Sequence, residues 1–504
     1  MGKNDTICAV STASGIGAIA VIRLSGVESH KTVLFIFRKK GKRLDVNDIE
    51  PNKAYYGEIF DPVPDDKPMV DEVLVTFFKA PHSYTGEDSV EISCHGSVFV
   101  QQKILELLVV RGCRLAEPGE FSKRAFINDK LDLAQAEAVA DLISSQNEAE
   151  HRIAVNQLKG GFSNELRDLR SKLVDLTSLL ELELDFSEED VEFADRTKLY
   201  ELLDTALKHI EKLTDSFRMG NAIKNGIPVA IVGETNTGKS TLLNAILGEE
   251  RAIVSDIEGT TRDTIEETFT IDGMMYRFID TAGIRETSET IEKIGIERTF
   301  KKISEADIVI GMLDGTKPVK NIFKAWKTIV SHVNVLSQKL LIFVNKKDLM
   351  DAGAMFTLND DYEDYMKSAY EKNIENHGGY MTDEYCYSIT GMDLHNICSI
   401  MTFSYISAKD PEDVDSLKQT IRHCTKMPKV DGNTTLVTNI RHYEALVHAK
   451  KSLEQVKKGM DDKLSADLLA QDLRQALYHI GSITGEVTTG EVLGNIFGRF
   501  CIGK

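Results

Sequence analysis

The sequence predicts a multidomain protein that mixes α+β and α/β architecture: an N-terminal α+β region, a helical bundle, and a P-loop nucleotide domain on a parallel sheet. Three observations carry this. The chain has 504 residues, too many for one hydrophobic core. Its centre, PVAIVGETNTGKSTLLNAILG at 228–248, reads as apolar strand, glycine-rich turn and apolar-periodic helix. The hydrophobic period also changes along the chain, from alternation before about residue 119 to helical spacing after it.

Composition narrows the function classes. Hydrophobic residues make up 42% and charged residues 28%, as in soluble globular proteins. No run approaches the roughly 18 apolar residues of a membrane span. The start, MGKNDTICAV, lacks the long apolar stretch of a secretory signal. The seven cysteines are scattered with no C-x-x-C pair, which points away from a disulfide framework or zinc site and towards a reducing, cytoplasmic compartment. A net charge of −19 argues against broad electrostatic binding of nucleic acid. An RNA partner then requires a local basic patch or a second protein.

Residues 5–24 hold two apolar runs around a Ser/Gly turn, a hairpin signal. Further strands are predicted at 54–60 and 72–78. In SVEISCH, Val90, Ile92 and Cys94 alternate with Glu91, Ser93 and His95. On such a strand Glu91 is ordinarily a solvated carboxylate, and His95 ordinarily structural. From about 119 the pattern turns helical, with Ala136, Val139, Ala140 and Ile143 on one face. Leu166, Leu169, Leu173, Leu176 and Leu180 follow heptad-like spacing, read as bundle packing because the stripe is short for a coiled coil. DFSEEDVEF at 185–193 reads as a solvated loop, 197–217 as a helix, and MGNAIKNG at 219–226 as a hinge.

The turn GETNTGKS fits G-x-x-x-x-G-K-[ST] at Gly233, Gly238, Lys239 and Ser240. Glycines let successive N–H groups point at phosphate oxygens, and the helix N-terminus adds partial positive charge. Lys239 reaches the terminal phosphates, and the Ser240 hydroxyl can ligate Mg²⁺. Thr261 of DIEGTTRD can present its hydroxyl and carbonyl to the Mg²⁺ and γ-phosphate. In the strand-terminal DTAG, Asp280 can hold the Mg²⁺ shell and the Gly283 N–H can sense the γ-phosphate. Asn345-Lys346-Lys347-Asp348 ends another apolar strand. A carboxylate there accepts both N1–H and the exocyclic amine of guanine, a pair adenine lacks. Ser407-Ala408-Lys409 can cap the base edge. The phosphate loop alone permits an ATPase or kinase; the ordered set selects GTP. The residue after DTAG is Ile284, where Ras-like proteins carry a water-orienting glutamine. Asn236 in the phosphate loop offers an amide oxygen to a monovalent cation.

These motifs, with PHSYTGED and its downstream CHG, PGEFSKRAFINDKLDLAQAEAVADLI, DTAGIRE…IEKIGIER and the terminal CIGK, run from residue 5 to 504. Over that whole span the chain resembles the MnmE (TrmE) family of tRNA wobble-uridine modification GTPases. The resemblance implies a tetrahydrofolate-binding, dimerising N-terminal domain at 1–118 and a helical domain at 119–220 and 428–504. A Ras-like G domain, 221–427, is inserted between the two helical parts, and helices at 440–458 and 466–480 complete the bundle. It implies GTP contacts at Asn236, Thr237, Gly238, Lys239, Ser240, Thr241, Ser255, Asp256, Ile257, Glu258, Gly259, Thr260 and Thr261. Further contacts are implied at Asp280, Thr281, Ala282, Gly283, Asn345, Lys346, Lys347, Asp348, Ser407, Ala408 and Lys409. Mg²⁺ falls to Ser240 and Thr261, and K⁺ to Asn236, Ser255, Ile257 and Thr260. Arg23, Glu91, Lys130 and Lys504 fall at folate-contacting positions, for a 5-formyl or 5,10-methylene derivative. Glu292 matches the catalytic glutamate, which answers the missing glutamine. Cys501 is either a chemical residue or a buried structural thiol. The implied partners are a second copy of the chain, an FAD-dependent protein in a heterotetramer or larger assembly, and tRNA as substrate; no membrane is implied.

Two other classes stay in view, a regulatory G-protein switch and a ribosome-assembly GTPase. The folate-type N-terminus and CIGK tail weigh against the first, and net acidity against the second. Asp348 and Ser407 enclose 58 residues, with ten acids, two lysines and seven of the 14 tyrosines. This insertion reads as a packed surface elaboration or a disordered acidic loop.

Overall fold

The computed structural model describes residues 5–39, 42–62, 68–185, 196–249, 267–271, 274–279, 303–334, 338–351, 353, 355, 357–358, 401–425, 435–487, 490–498, 500 and 503. It divides into two compact units, one of residues 1–145, 151–215 and 432–504, the other of 146–150 and 216–431.

The first unit opens on an α+β layer. Its strands are β1 Ile7–Val10, β2 Ile19–Ser25, β3 Phe37–Arg38, β4 Ala54–Phe60, β5 Met69–Phe78, β6 Ser89–His95 and β7 Arg114–Leu115. They form one sheet in the order β3-β4-β5-β6-β2-β1-β7. The predicted hairpin is β1–β2, antiparallel, with Ala9 opposite Arg23. Helices α1 Ser29–Ile36 and α2 Val98–Val110 cover one face, burying Ile22, Leu24, Val75, Ile92 and Ile104. The alternation of β2 and β6 sends Arg23 and Glu91 to the other face. Then follow α3 Glu120–Ile127, α4 Leu133–Ser144, α5 Glu148–Leu158, α6 Gly161–Asp185 and α7 Arg196–Asn225, the first three residues of α5 and the last ten of α7 being counted with the second unit. The leucine stripe holds: Leu166, Leu169, Leu173, Leu176 and Leu180 are all buried on α6. The stripe read on α4 does not. Ala136 is buried, but Ile143 is 51% exposed and the buried set is Leu133, Ala134, Ala136, Glu137 and Ala138. The packed face of α4 lies at its N-terminal half, where Leu133 and Ala136 meet aromatic side chains from the chain's end. The segment 219–226, read as a hinge, is helical over most of its length. Helix α7 runs to Asn225 with Ala222 and Ile223 buried, and Gly226, at φ +77°, ends it. A glycine just past a helix in the left-handed region is a common helix stop.

The second unit carries β8 Ile227–Val232, α8 Lys239–Glu249, β9 Glu267–Ile271, β10 Met274–Phe278, β11 Ile308–Asp314, α9 Val319–Val330, β12 Lys339–Asn345, β13 Met401–Tyr405 and α10 Pro411–Cys424. The sheet order is β13-β12-β11-β8-β10-β9. All neighbours are parallel except β9–β10. That edge pair refines the expected parallel sheet. Only Asp272-Gly273 separates the two strands, a hairpin-length link, whereas a parallel crossover needs about a dozen residues. Both faces are buried, one by Leu242, Ile246 and Phe278, the other by Trp326, Val309 and Ile342.

The chain returns to the first unit with α11 Ile440–Asp461, α12 Ala466–Thr484 and α13 Gly490–Phe497. Helix α12 packs against α11 and α6, so the helical bundle draws on both ends of the sequence. No described helix is long and apolar enough to cross a membrane.

Candidate functional site

In the second unit, the parallel strands bring four loops to one sheet edge. Registers align Val232 with Gly311, Asp314 with Asn345, and Val344 with Tyr405. The loops that follow these strand ends form the crevice where α/β sheets bind ligands. The phosphate loop leaves β8 at Gly233, φ +156°, where an added Cβ would stand 2.3 Å from Met312 O. At Gly238, φ +97°, a Cβ would stand 2.1 Å from Asn345 Nδ2. Both glycines are therefore demanded by close approach as well as by backbone conformation. Asn236 holds a left-handed φ of +64° at the exposed crest. Lys239 Nζ donates to Gly233 O at 2.8 Å and Glu234 O at 2.6 Å, so the ammonium lies over the loop. Ser240 and Thr241 open α8, and Thr237 is buried beneath the loop.

Asn345 ties the loops together. Its Nδ2 donates to Thr237 O at 2.8 Å, and its Oδ1 accepts from Ala408 N at 2.9 Å. One buried side chain thus joins the phosphate loop to the Ser407-Ala408-Lys409 segment. Asp348 stands exposed in the short turn after β12, free of cover for a base. Two acids that sequence reasoning passed over support it. Asp314, at the end of β11, pairs with Lys346 Nζ at 2.7 Å. Burial would raise its carboxyl, but hydrogen bonds from Lys346 and Thr316 outweigh that and hold it below the usual range. Asp413 of α10 accepts from Ser407 N at 2.7 Å and pairs with Lys347. Asp314 was legible as a strand-terminal acid on the ligand edge; Asp413, inside a helix, gave no signal. Ser255, Asp256, Ile257, Glu258, Gly259, Thr260, Thr261, Asp280, Thr281, Ala282, Gly283 and Glu292 lie outside the described residues, as does most of the 349–406 insertion.

In the first unit, Arg23 and Glu91 sit opposite each other on β2 and β6. Arg23 Nε and Nη2 lie 3.0 and 2.8 Å from Glu91 Oε1. The guanidinium also lies 5.2 Å from the Tyr84 ring centre and 5.8 Å from that of Phe121. Tyr84 was missed because its loop has no period. A charged pair beside aromatic rings suits a flat, polar-edged heterocycle with an anionic tail. Lys130 Nζ donates to Pro81 O at 3.1 Å, in the loop that carries Tyr84. Lys504 and Cys501 lie outside the described residues, but Gly503 is placed. Its O accepts from Ser11 Oγ at 3.0 Å, and a Cβ on it would stand 2.2 Å from Val10 O. Gly503 therefore lies one residue along β1 from Ala9, the register partner of Arg23. His95 hydrogen-bonds Asp71 through Nδ1 at 2.7 Å and its own N–H at 2.8 Å.

A family model described as the MnmE helical domain matches residues 133–501, and one described as GTP-binding protein TrmE N-terminus matches 6–130. The tRNA modification GTPase MnmE of Bacteroides thetaiotaomicron is 48% identical over 504 residues, spanning all of both chains. That of Flavobacterium johnsoniae is 49% identical over 510 residues, again spanning both. Among solved structures, Aquifex aeolicus Era bound to GDP and aluminium fluoride is 23% identical, with a TM-score of 0.24, covering 45% of this chain and 66% of its own. The FeoB G domain of Methanococcus jannaschii is 19% identical, with a TM-score of 0.23, covering 40% and 98%.

Proposed function

The chain belongs to the MnmE (TrmE) family of tRNA modification GTPases, and on that premise we propose a potassium-dependent, dimerisation-activated GTP hydrolysis coupled to tRNA modification. With an FAD-dependent partner, it adds a carboxymethylaminomethyl-type group at C5 of the wobble uridine, drawing on a folate-borne carbon. The observation that most supports the nucleotide part is Asn345, which joins the phosphate loop to the base-side loop.

The N–H groups of the loop from Gly233 to Gly238 point at phosphate oxygens, with Lys239 neutralising their charge. Ser240 at the start of α8 ligates Mg²⁺ with Thr261. Asp348 accepts from the guanine edge. Ile284 cannot align water, so Glu292 takes that role. Asn236 with Ser255, Ile257 and Thr260 would hold a K⁺, which would supply the fixed charge that an arginine finger otherwise gives. The exposed position of Asn236 in the phosphate loop supports this reading.

In the N-terminal region Arg23, Glu91, Lys130 and Lys504 hold the reduced folate, with Tyr84 against its ring. The folate supplies the one-carbon unit when bound. Flavin chemistry belongs to the partner, which also supplies much of the basic surface for tRNA; this reconciles an RNA substrate with a net charge of −19.

The test is GTP turnover in K⁺ against Na⁺ over a range of protein concentrations, with Glu292→Ala alongside. Turnover should need K⁺ and rise with concentration, and the variant should lose kcat while keeping GTP affinity. Equal rates in both salts without concentration dependence would overturn the mechanism.

A further inference from the structure

A cavity of about 490 Å³ opens in the first unit between the α3–α4 connection, α6 and the end of α12. Its lining includes Lys130, Arg167 and Arg170 together with Asp129, Asp132 and Glu486. Arg167 and Arg170 lie one turn apart on α6. Arg170 Nε stands 2.6 Å from Glu486 Oε2. Arg167 donates to the neutral Asn164 at 2.7 Å, so its charge is not cancelled by that contact. Asp132 accepts from Gln135 N at 2.8 Å as the cap of α4. Ser163 also lines the cavity. It is 2% exposed, and its hydroxyl has no hydrogen-bond partner among the described residues. A buried hydroxyl without a partner calls for one more hydrogen-bonding group, which a water or a ligand supplies.

The cavity adjoins the folate site through one loop. Tyr84 of that loop lies against Arg23, Pro81 accepts from Lys130, and a Cβ on Gly86 would stand 3.2 Å from the Lys130 side chain. Resting on the folate reading above, we propose that this cavity receives the oligo-γ-glutamyl tail of the reduced folate.

The chemistry fits a γ-glutamyl chain, which offers a carboxylate, an amide N–H and a carbonyl at every residue. Its carboxylates meet the guanidinium of Arg167 and the ammonium of Lys130. Its N–H groups meet Asp129, and an acceptor completes Ser163. A γ-glutamyl chain sets an N–H donor beside each carboxylate and so meets both the cations and the acids of the lining, whereas an RNA phosphate meets only the cations.

Calorimetry on the full chain, with 5-formyltetrahydrofolate as monoglutamate and as triglutamate, decides it. The triglutamate should bind about ten-fold tighter, the worth of one charge-assisted hydrogen bond. Arg167→Gln, on an exposed side chain, and Ser163→Ala should each remove most of that gain and leave monoglutamate affinity unchanged. Arg23→Ala should weaken both forms equally. Equal affinity of the two forms in the unmodified chain, or a gain that survives Arg167→Gln, overturns the proposal. If Arg167→Gln weakens an anticodon stem-loop RNA instead and spares the glutamate gain, the cavity belongs to RNA. If the unmodified chain binds neither folate, the folate reading itself fails and takes this inference with it.

Discussion

Asn345 and Asp348 stand three residues apart, yet they act by different physics. Asn345 is 4% exposed and satisfies two buried backbone groups, Thr237 O and Ala408 N. Asn345→Ala would leave both unpaired, at about 1–3 kcal/mol each. GTP affinity should fall by ten-fold or more in calorimetry; unchanged affinity would mean that the tie does not shape the site. Asp348 is exposed and reaches outward. Asp348→Asn replaces an acceptor with an amide that also donates. It should weaken GTP and relax selection against xanthine nucleotides without lowering the unfolding temperature. If ATP competes equally with GTP in the unmodified protein, the role given to Asp348 is wrong. The motif spacing made both residues legible. That one braces the fold while the other stays exposed became visible only when β12 and β13 were paired.

Helix α4 is held to the chain's last helices by a buried charge cluster. Glu137 pairs with Arg441 at 3.0 Å and His442 at 2.7 Å, and Arg441 also donates to Ser482 O at 2.8 Å. Burial pushes the Glu137 carboxyl up, but His442 and then Arg441 outweigh it, leaving the pKa at about 2 against an ordinary 4.5. A carboxylate with a lowered folded pKa stabilises fully above its unfolded value, and the contribution is lost as pH falls through the folded one. Glu137→Gln should therefore destabilise the first unit at neutral pH by about 3–5 kcal/mol, since it leaves the Arg441 guanidinium without its counter-charge. The difference between the variant and the parent should shrink as pH falls from about 5 towards 2. A difference constant across that window in thermal unfolding would refute the assignment. The α6 leucine stripe was readable because five similar side chains repeat at one spacing. The α4 face was misread because alanines pack at whichever end larger partners reach, and here those partners are Phe497 and Phe500.

At the scale of the whole molecule, GTP hydrolysis does not by itself place carbon on a uridine. On the reaction proposed above a redox step is needed, and the G-x-G-x-x-A run after β1, Gly15 to Ala20, leads into β2 and not into the helix that a dinucleotide site requires. Modification of tRNA in vitro should thus require this chain, the flavoprotein, a reduced folate and hydrolysable GTP together. Full product with a non-hydrolysable analogue would show that hydrolysis does not drive the step. Full activity of Cys501→Ser would leave that cysteine a packing residue.

The sequence alone determined the G-domain chemistry and the order of α+β, helical and nucleotide regions. Those features are local: a glycine-rich turn between strand and helix, a strand-terminal N-K-x-D, and hydrophobic periods all act over a few residues. The tertiary structure decided what distant residues do together. It set Arg23 against Glu91, 68 positions on, laid Gly503 beside Val10, and made the bundle from both ends of the chain. Such pairs follow from strand register and helix packing. A register is fixed by which whole faces bury together, so no short stretch of sequence contains it.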